Sequence, residues 1–465
     1  MSAKHPSLTL KPALLAILLA FPAQQALAAT CTWNGTDNNW ATLAAWLSCA
    51  AGNGNPASTP GASDTANINA GIVTINTGQS ILTLNNAGQI NIDAFGLNLA
   101  GGGGTTNSGV INVGDVSTAN LGVAAGHNIN NTGGAINVAA GSVINQFGST
   151  ITGGAINTTG TGALVAFSSA ANYLSGVTLN GNMDMATNGA SRQRVVNGLT
   201  LGGATVDINR NGILSFEGTS TLAGTGTIVF GATGPGNRIA LDGTGTTTFA
   251  AGTTVRGENG SIGQAINIGG TQTLVNDGTI SADVAGGTIT INAHPVTNNG
   301  TLSALNGGKL VLSSNVTGNP GGQIVAGAGS QVLQNGVTIG GTINTSGSGL
   351  FSATSNANNY LNGATLNGNL DMASIASSRE RVTAGGLVLN GTVDINQNGI
   401  LSFEGDGGLS GNGTVIFGNT GSGNRIALDG NGTTTFATGT TVRGHSGTIG
   451  QAINIGGTQT LVNDG

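Results

Sequence analysis

The chain has 465 residues with 84 glycines, 6% charged and 3% aromatic side chains, and eight prolines. That balance does not suit compact mixed domains, and apolar residues at 38% in regular spacing exclude disorder, while glycine without a three-residue period excludes collagen. The formal net charge is −6, with 12 basic and 18 acidic side chains, and phosphate-binding partners need clustered Lys and Arg. Nucleic acid is therefore not an expected partner. What remains is a long all-β structure of many short strands, with turns built from Gly, Asn and Asp.

From the start of the chain, Lys4 and Lys11 precede "ALLAILLAF" (13–21), and "ALA" stands at 26–28. A basic start, a short apolar stretch and small residues two apart predict a secretory signal peptide, residues 1–28, cleaved after Ala28. The stretch is too short to span a bilayer as a helix. Without it the chain keeps ten basic and eighteen acidic side chains, a net charge of −8. Cys31 and Cys49 follow within a predicted N-terminal segment, 29–66. In an oxidising compartment such a pair predicts a disulfide, and closing so short a loop stabilises by roughly 3 kcal/mol on the chain-entropy model. The rival reading, a lipid-modified Cys31, is disfavoured by Thr30, because a smaller residue normally precedes a lipidated cysteine.

Residues 67–465 are dominated by self-similarity. The closing "GQAINIGGTQTLVNDG" (450–465) also stands at 263–278, an offset of 187 that maps Tyr173 to Tyr360, Phe216 to Phe403 and Arg238 to Arg425. Residues 156–278 and 343–465 align without a gap. The unit is too long for one supersecondary repeat and contains smaller ones. "TVDINQNGILSFEG" puts Val393 and Ile395 on one face, turns at "NQNG", and continues with Leu401 and Phe403. "RIALDG" alternates Ile426 and Leu428, and "QAINIGG" alternates Ile453 and Ile455.

Small to medium apolar residues suit a narrow core filled in layers. No helical period offers βαβ crossovers, and recurring Asn and Thr beside turns suit hydrogen-bonded ladders between stacked coils. These features predict a right-handed parallel β-helix rather than a sandwich of Asn-Gly hairpins. At about 20 residues per coil it would make some twenty coils, roughly 100 Å long. A solenoid needs a cap over its first coil, and Trp33, Trp40 and Trp46, pinned by the disulfide, are expected to form it. The functional alternative is a Trp platform stacking on sugar rings.

Candidate chemistry is sparse. "DINRNGILSFEG" (207–218) and "DINQNGILSFEG" (394–405) begin like a calcium loop, but Glu217 and Glu404 fall one position short of the bidentate ligand's place and the flanks read as strands. A plain turn is the expectation. "GNRIALDG" places Arg238 with Asp242 on one strand face, expected to pair with charges on neighbouring coils. A polysaccharide-active site would best be assembled from Asp207, Arg210, Glu217, Arg238 and Asp242, yet Gln397 replaces Arg210 in the second copy. His127, His294 and His445 stand apart, with neither metal-site nor triad spacing. Thr-rich "GTGTTTFAAGTT" (243–254) is not repeated coil after coil, as an ice-binding array would require, and no "RGD" is present. No cofactor, metal or catalytic residue is expected.

The phrasing of "NNGTLSALNGGKLVL" (298–312), "GGTINTSGSG" (340–349), "GATLNGNLDMA" (363–373) and "NGTVDINQNGILSFEG" (391–405) resembles the β-helical passengers of autotransporters and filamentous-haemagglutinin-like adhesins. "CTWNGTDNNWATLAAWLSC" (31–49) with "STPGASDTANI" (58–68) is similar to the Trp-rich opening of some autotransporter-like surface-repeat proteins. The resemblance implies export to the Gram-negative cell surface, and attachment to a host or neighbouring cell, glycan or matrix. It also implies an outer-membrane translocator or anchor outside these residues. The chain departs from the family in lacking an "NPNG" landmark and a C-terminal run of barrel strands. A rod ending mid-repeat at Gly465 would leave its last coil open, so the sequence predicts a piece of a longer protein. The expectation is a non-enzymatic, adhesin-like passenger; the alternatives are a secreted polysaccharide-active β-helix enzyme and a structural matrix component.

Overall fold

The computed structural model describes residues 28–35, 38–49, 58–318 and 321–465. The predicted signal peptide lies, but for Ala28, outside the described residues. Apart from one 3-10 turn at Leu43–Ala45, the described regular structure is all β. No described helix is long and apolar enough to cross a membrane.

The strands stack as a parallel β-solenoid of about 17 turns. Each turn lays down three strands, and each strand pairs in parallel with its counterpart one turn on. Thr65–Ile68, Ile72–Ile75 and Gln79–Asn86 open three ladders that run the length of the rod. Between Thr65 and Thr441 one ladder covers 376 residues in 17 turns, about 22 per turn rather than the 20 expected. At about 4.8 Å per rung this length of rod is roughly 80 Å.

The core is built by period-2 alternation. Val393, Ile395, Leu401 and Phe403 point inward and are fully buried, as their alternation predicts. Parallel register puts like on like: Ile111, Ile136 and Ile156 occupy successive rungs, so the interior is a row of similar side chains. Burying each contributes about 1.5–3 kcal/mol of hydrophobic free energy before entropy is subtracted. The core is narrow enough that backbone must touch ring in places. A Cβ on Gly260 would meet the Phe230 ring at 2.5 Å, and one on Gly447 the Phe417 ring at 2.3 Å. Only glycine fits at either position.

Amide ladders tie the turns together. On one outer face Asn112 donates to Asn91, Asn137 to Asn112, Asn157 to Asn137 and Asn180 to Asn157, at 2.7–2.9 Å. A buried row, Asn86 to Asn107 to Asn131, runs inside the rod at 2.7 Å. Each stacked amide satisfies its neighbour where water is excluded.

Two local expectations fail. The segment "QAINIGG" is not a strand: residues 264–268 form a loop, Ile268 is 57% exposed and its counterpart Ile455 is 58% exposed. Alternating Ile residues imitate a strand there, but the backbone N–H groups are taken by a carboxylate, as described below. Nor does Asp242 pair with charge on a neighbouring coil. It is fully buried and bound by backbone N–H groups and Ser215.

The duplicated unit does not span a whole number of turns. From Ile213–Glu217, its ladder runs through Arg238–Asp242, Asn259–Gly263, Thr288–Ile291, Lys309–Leu312, Gln331–Gln334, Leu350–Ala353 and Asn369–Met372 to Thr392–Ile395, eight rungs on. The counterpart of Ile213–Glu217 is Ile400–Glu404, the next strand in the chain, in the adjacent ladder. Tracing back from Ile400–Glu404 leads to Gln272–Asn276 and Gly245–Phe249, not to Ile213–Glu217. A 187-residue offset therefore equals eight and one-third turns, and every feature of the first copy reappears one face round the rod.

Candidate functional surface

At the N-terminus, Thr30–Trp33 pairs in parallel with Thr65–Ile68 and antiparallel with Trp46–Leu47, so the segment folds over the first coil. Cys31 and Cys49 are disulfide-bonded. Trp33 and Trp40 pack edge-on against Trp46, with centroids 5.1 and 4.7 Å apart, and all three are 5% exposed or less. The Trp46 indole N–H donates to the Trp40 carbonyl at 2.8 Å. No ring face is open to stack on a sugar, so the geometry is that of a cap.

The carboxylates proposed for catalysis do not converge. Glu217 is ion-paired with Arg194, whose guanidinium lies 4.5 Å from the Tyr173 ring centre; Glu404, Arg381 and Tyr360 repeat the stack at 4.4 Å. Asp242 accepts the N–H groups of Ile266, Asn267 and Ile268 at 2.7–3.1 Å and the Asn267 side-chain amide at 2.9 Å. Burial pushes its pKa up, but the Ser215 hydroxyl and those three N–H groups prevail and hold it below the usual carboxylate range. Asp429 does the same for Ile453, Asn454 and Ile455. Both aspartates are anchors that fix an exposed loop to the rod.

Asp207 lies instead beside Asp184, one rung away, and Asp394 beside Asp371. Burial, then the neighbouring carboxylate, raises the pKa of Asp207 and of Asp394. The sequence reading missed these pairs, whose only signal is a spacing of 23 residues, one turn. Asp184 Oδ1 is already engaged by the N–H groups of Ala186 and Thr187.

The calcium-loop segment is a corner between two faces. Arg210 and Asn211 adopt left-handed φ of 51° and 66°, as do Gln397 and Asn398 at 50° and 67°. Asn209 Oδ1 accepts the Thr233 N–H and Asn211 Oδ1 the Gly236 N–H, so these oxygens bind the next turn. Among the described residues no three His, Cys, Asp or Glu side chains gather in metal-binding proximity. His127 is buried, 2.9 Å from Thr105 Oγ1 and 2.7 Å from the Ala100 carbonyl, and burial lowers its pKa.

The outer surface carries open polar grooves where the coil outline bulges. One of about 500 Å³ is lined by Asn315, Thr317, Thr338, Thr342, Asn362 and Thr365, beside the register shift between Ile339 and Gly341. Another of about 550 Å³ is lined by Thr83, Asn85, Thr106, Asn128 and Asn130. These are shallow sites of hydroxyls and amides, suited to hydrogen-bonding a polar ligand.

No family model matches the chain, and no curated protein matches it. Among solved structures, it is similar to the TibC-catalysed hyper-glycosylated TibA55-350 fragment. The identity is 14%, the match covers 83% of this chain and 97% of that one, and the TM-score is 0.19. At that score the likeness carries no argument about this protein.

Proposed function

We propose that this protein is an exported β-solenoid passenger of the autotransporter-like, adhesin kind, which acts by holding a polar surface away from a Gram-negative cell. One observation carries the reading: the chain is a capped rod, tied by internal ladders, whose outside offers open grooves of Thr and Asn hydroxyls and amides. The sequence phrasing described above supports the same class. The ligand is a glycan, matrix or cell surface, and many weak contacts along a stiff rod add through effective concentration. A signal peptide at 1–28 and a translocator or anchor outside these residues complete the proposal.

To test it, the chain fused to a translocating barrel is displayed on a non-adherent bacterium, and retention on glycan-coated surfaces and cell sedimentation are measured. Attachment above that of the barrel alone is expected; equal attachment overturns the reading. A second reading, a polysaccharide-cleaving β-helix, is favoured by the duplicated carboxylate pairs alone. Release of sugar fragments that disappears in Asp207→Asn together with Asp394→Asn would favour it.

A further inference from the structure

All nine arginines of the chain fall within the two copies, at 192, 194, 210, 238 and 256, and at 379, 381, 425 and 443. Arg194 and Arg381 are neutralised by Glu217 and Glu404, and Arg256 pairs with Asp283. Arg192 and Arg238 have no carboxylate partner among the described residues, and neither do Arg379 and Arg425. Register places Arg192 opposite Ile213 and Ile213 opposite Arg238, so the two arginines are two rungs apart, about 10 Å, on one outer face. Arg379, Ile400 and Arg425 repeat the arrangement.

The guanidiniums are under-used. Arg238 Nη1 donates to the Gln264 side-chain oxygen at 3.3 Å and Arg425 Nη1 to that of Gln451 at 3.4 Å, a neutral acceptor in each case. Nε of Arg238 and Nε of Arg425 are buried with no hydrogen-bond partner. An unpaired buried N–H on a cation is costly, and the same vacancy occurs in both copies. The nearby acids are engaged: Asp242 by its loop and Glu217 by Arg194. Glu258, on the corner before the next rung, is His445 in the second copy. The anchored loops hold Asn267 and Asn454 beside the arginines, with Arg379 Nη1 3.5 Å from Asn454 Oδ1.

We infer that each copy carries an anion site, Arg192/Arg238 and Arg379/Arg425, that binds a negatively charged polysaccharide. Two fixed guanidiniums a sugar-scale distance apart suit charges recurring along a polymer, and each can take a carboxylate or sulfate through paired N–H donors. Ile213 or Ile400, half-buried between them, offers an apolar floor for the sugar ring. Because the copies lie eight and one-third turns apart, the sites are about 40 Å apart along the rod and face different sides. One rod therefore joins two polymer strands, where two sites on one face would bind a single strand twice. This extends the attachment reading by naming a ligand class, and it is tested on the soluble chain.

The experiment titrates the chain with short alginate oligomers, dextran sulfate and neutral dextran, and follows clumping of alginate-coated beads. Two sites per chain for at least one polyanion are expected, weakening with salt, with no binding to dextran. Binding to alginate alone names a carboxylate ligand, and to dextran sulfate alone a sulfated one. Arg192→Ala with Arg238→Ala should leave one site and abolish bead clumping; adding Arg379→Ala and Arg425→Ala should weaken binding about tenfold or more. Should that last variant fail to fold, the four Arg→Lys changes keep the charge and should retain two weaker sites. Equal binding of dextran, no binding of either polyanion, or two sites surviving in the folded alanine variant overturns the inference. Cell attachment that persists without polyanion binding would overturn it and leave the attachment reading standing.

Discussion

The two copies of the long repeat, 156–278 and 343–465, fold alike and face differently. Strand for strand they share bounds and burial: Ile213–Glu217 and Ile400–Glu404 have the same inward residues, and Arg238–Asp242 and Arg425–Asp429 hold the same loop. Yet the Asn row that lies on one ladder as Asn137, Asn157 and Asn180 continues one ladder round as Asn344, Asn367 and Asn390. Local structure in a solenoid depends on neighbours one turn away, whereas the direction a feature faces depends on the count of residues between copies. A duplication can preserve the first and rotate the second.

The largest effects test whether the copies are locally equivalent. Phe216 and Phe403 are fully buried, and each packs on a second ring, Phe249 at 6.1 Å and Phe436 at 5.5 Å. Phe216→Ala and Phe403→Ala should each cost about 3–5 kcal/mol in denaturant unfolding. A difference between them larger than about 2 kcal/mol would break the equivalence. Next comes the loop anchor. Asp242→Ala should lose about 1–3 kcal/mol, and amide exchange at Ile266, Asn267 and Ile268 should accelerate while the core strands stay protected. Because the folded pKa of Asp242 is depressed, its contribution is present above its usual 3.8 and is lost as pH falls through the folded value.

The copies differ sharply at one core position, where Gln193 is replaced by Glu380. Both oxygens of this buried carboxyl lack a well-formed hydrogen bond, and burial raises its pKa well above 4.5, opposed by the Arg381 N–H and Gln334. The folded state thus holds the proton longer than the unfolded chain. Stability is full below about pH 4.5 and falls as pH rises through the folded pKa. Glu380→Gln should remove that slope and gain about 1–3 kcal/mol at the alkaline end, and Gln193→Glu should import the slope into the first copy. Unfolding midpoints from pH 4 to 9 check both. The smallest effect is expected from Asn137→Ala, which interrupts the outer ladder and should cost about 0.5–1.5 kcal/mol.

Much of this fold could be read from residues. Alternation in "TVDIN" and "ILSFE" marked the core face correctly, the Asn next to turns did form ladders, and the cysteines with the tryptophans did make the cap. The failures have one cause. A residue string shows which side chains alternate but not which backbone groups are otherwise engaged, so "QAINIGG" looked like a strand until Asp242 was seen to hold its N–H groups. The pairing of Arg192 with Arg238 and of Asp184 with Asp207 was hidden similarly. Their spacings of 46 and 23 residues mean two rungs and one only once the turn length is known, and an assumed 20 misplaces both.

The turn between the copies is open to direct measurement. Thr244 and Asn431 are equivalent, fully exposed corner residues, and Cys31 and Cys49 are tied up in their disulfide. Gold clusters attached to Thr244→Cys and Asn431→Cys can be imaged on single rods by electron microscopy. Two particles about 40 Å apart along the axis and a third of a turn around it are expected. Particles in one line on the same side would mean a whole number of turns, and the two-sided rod would be wrong.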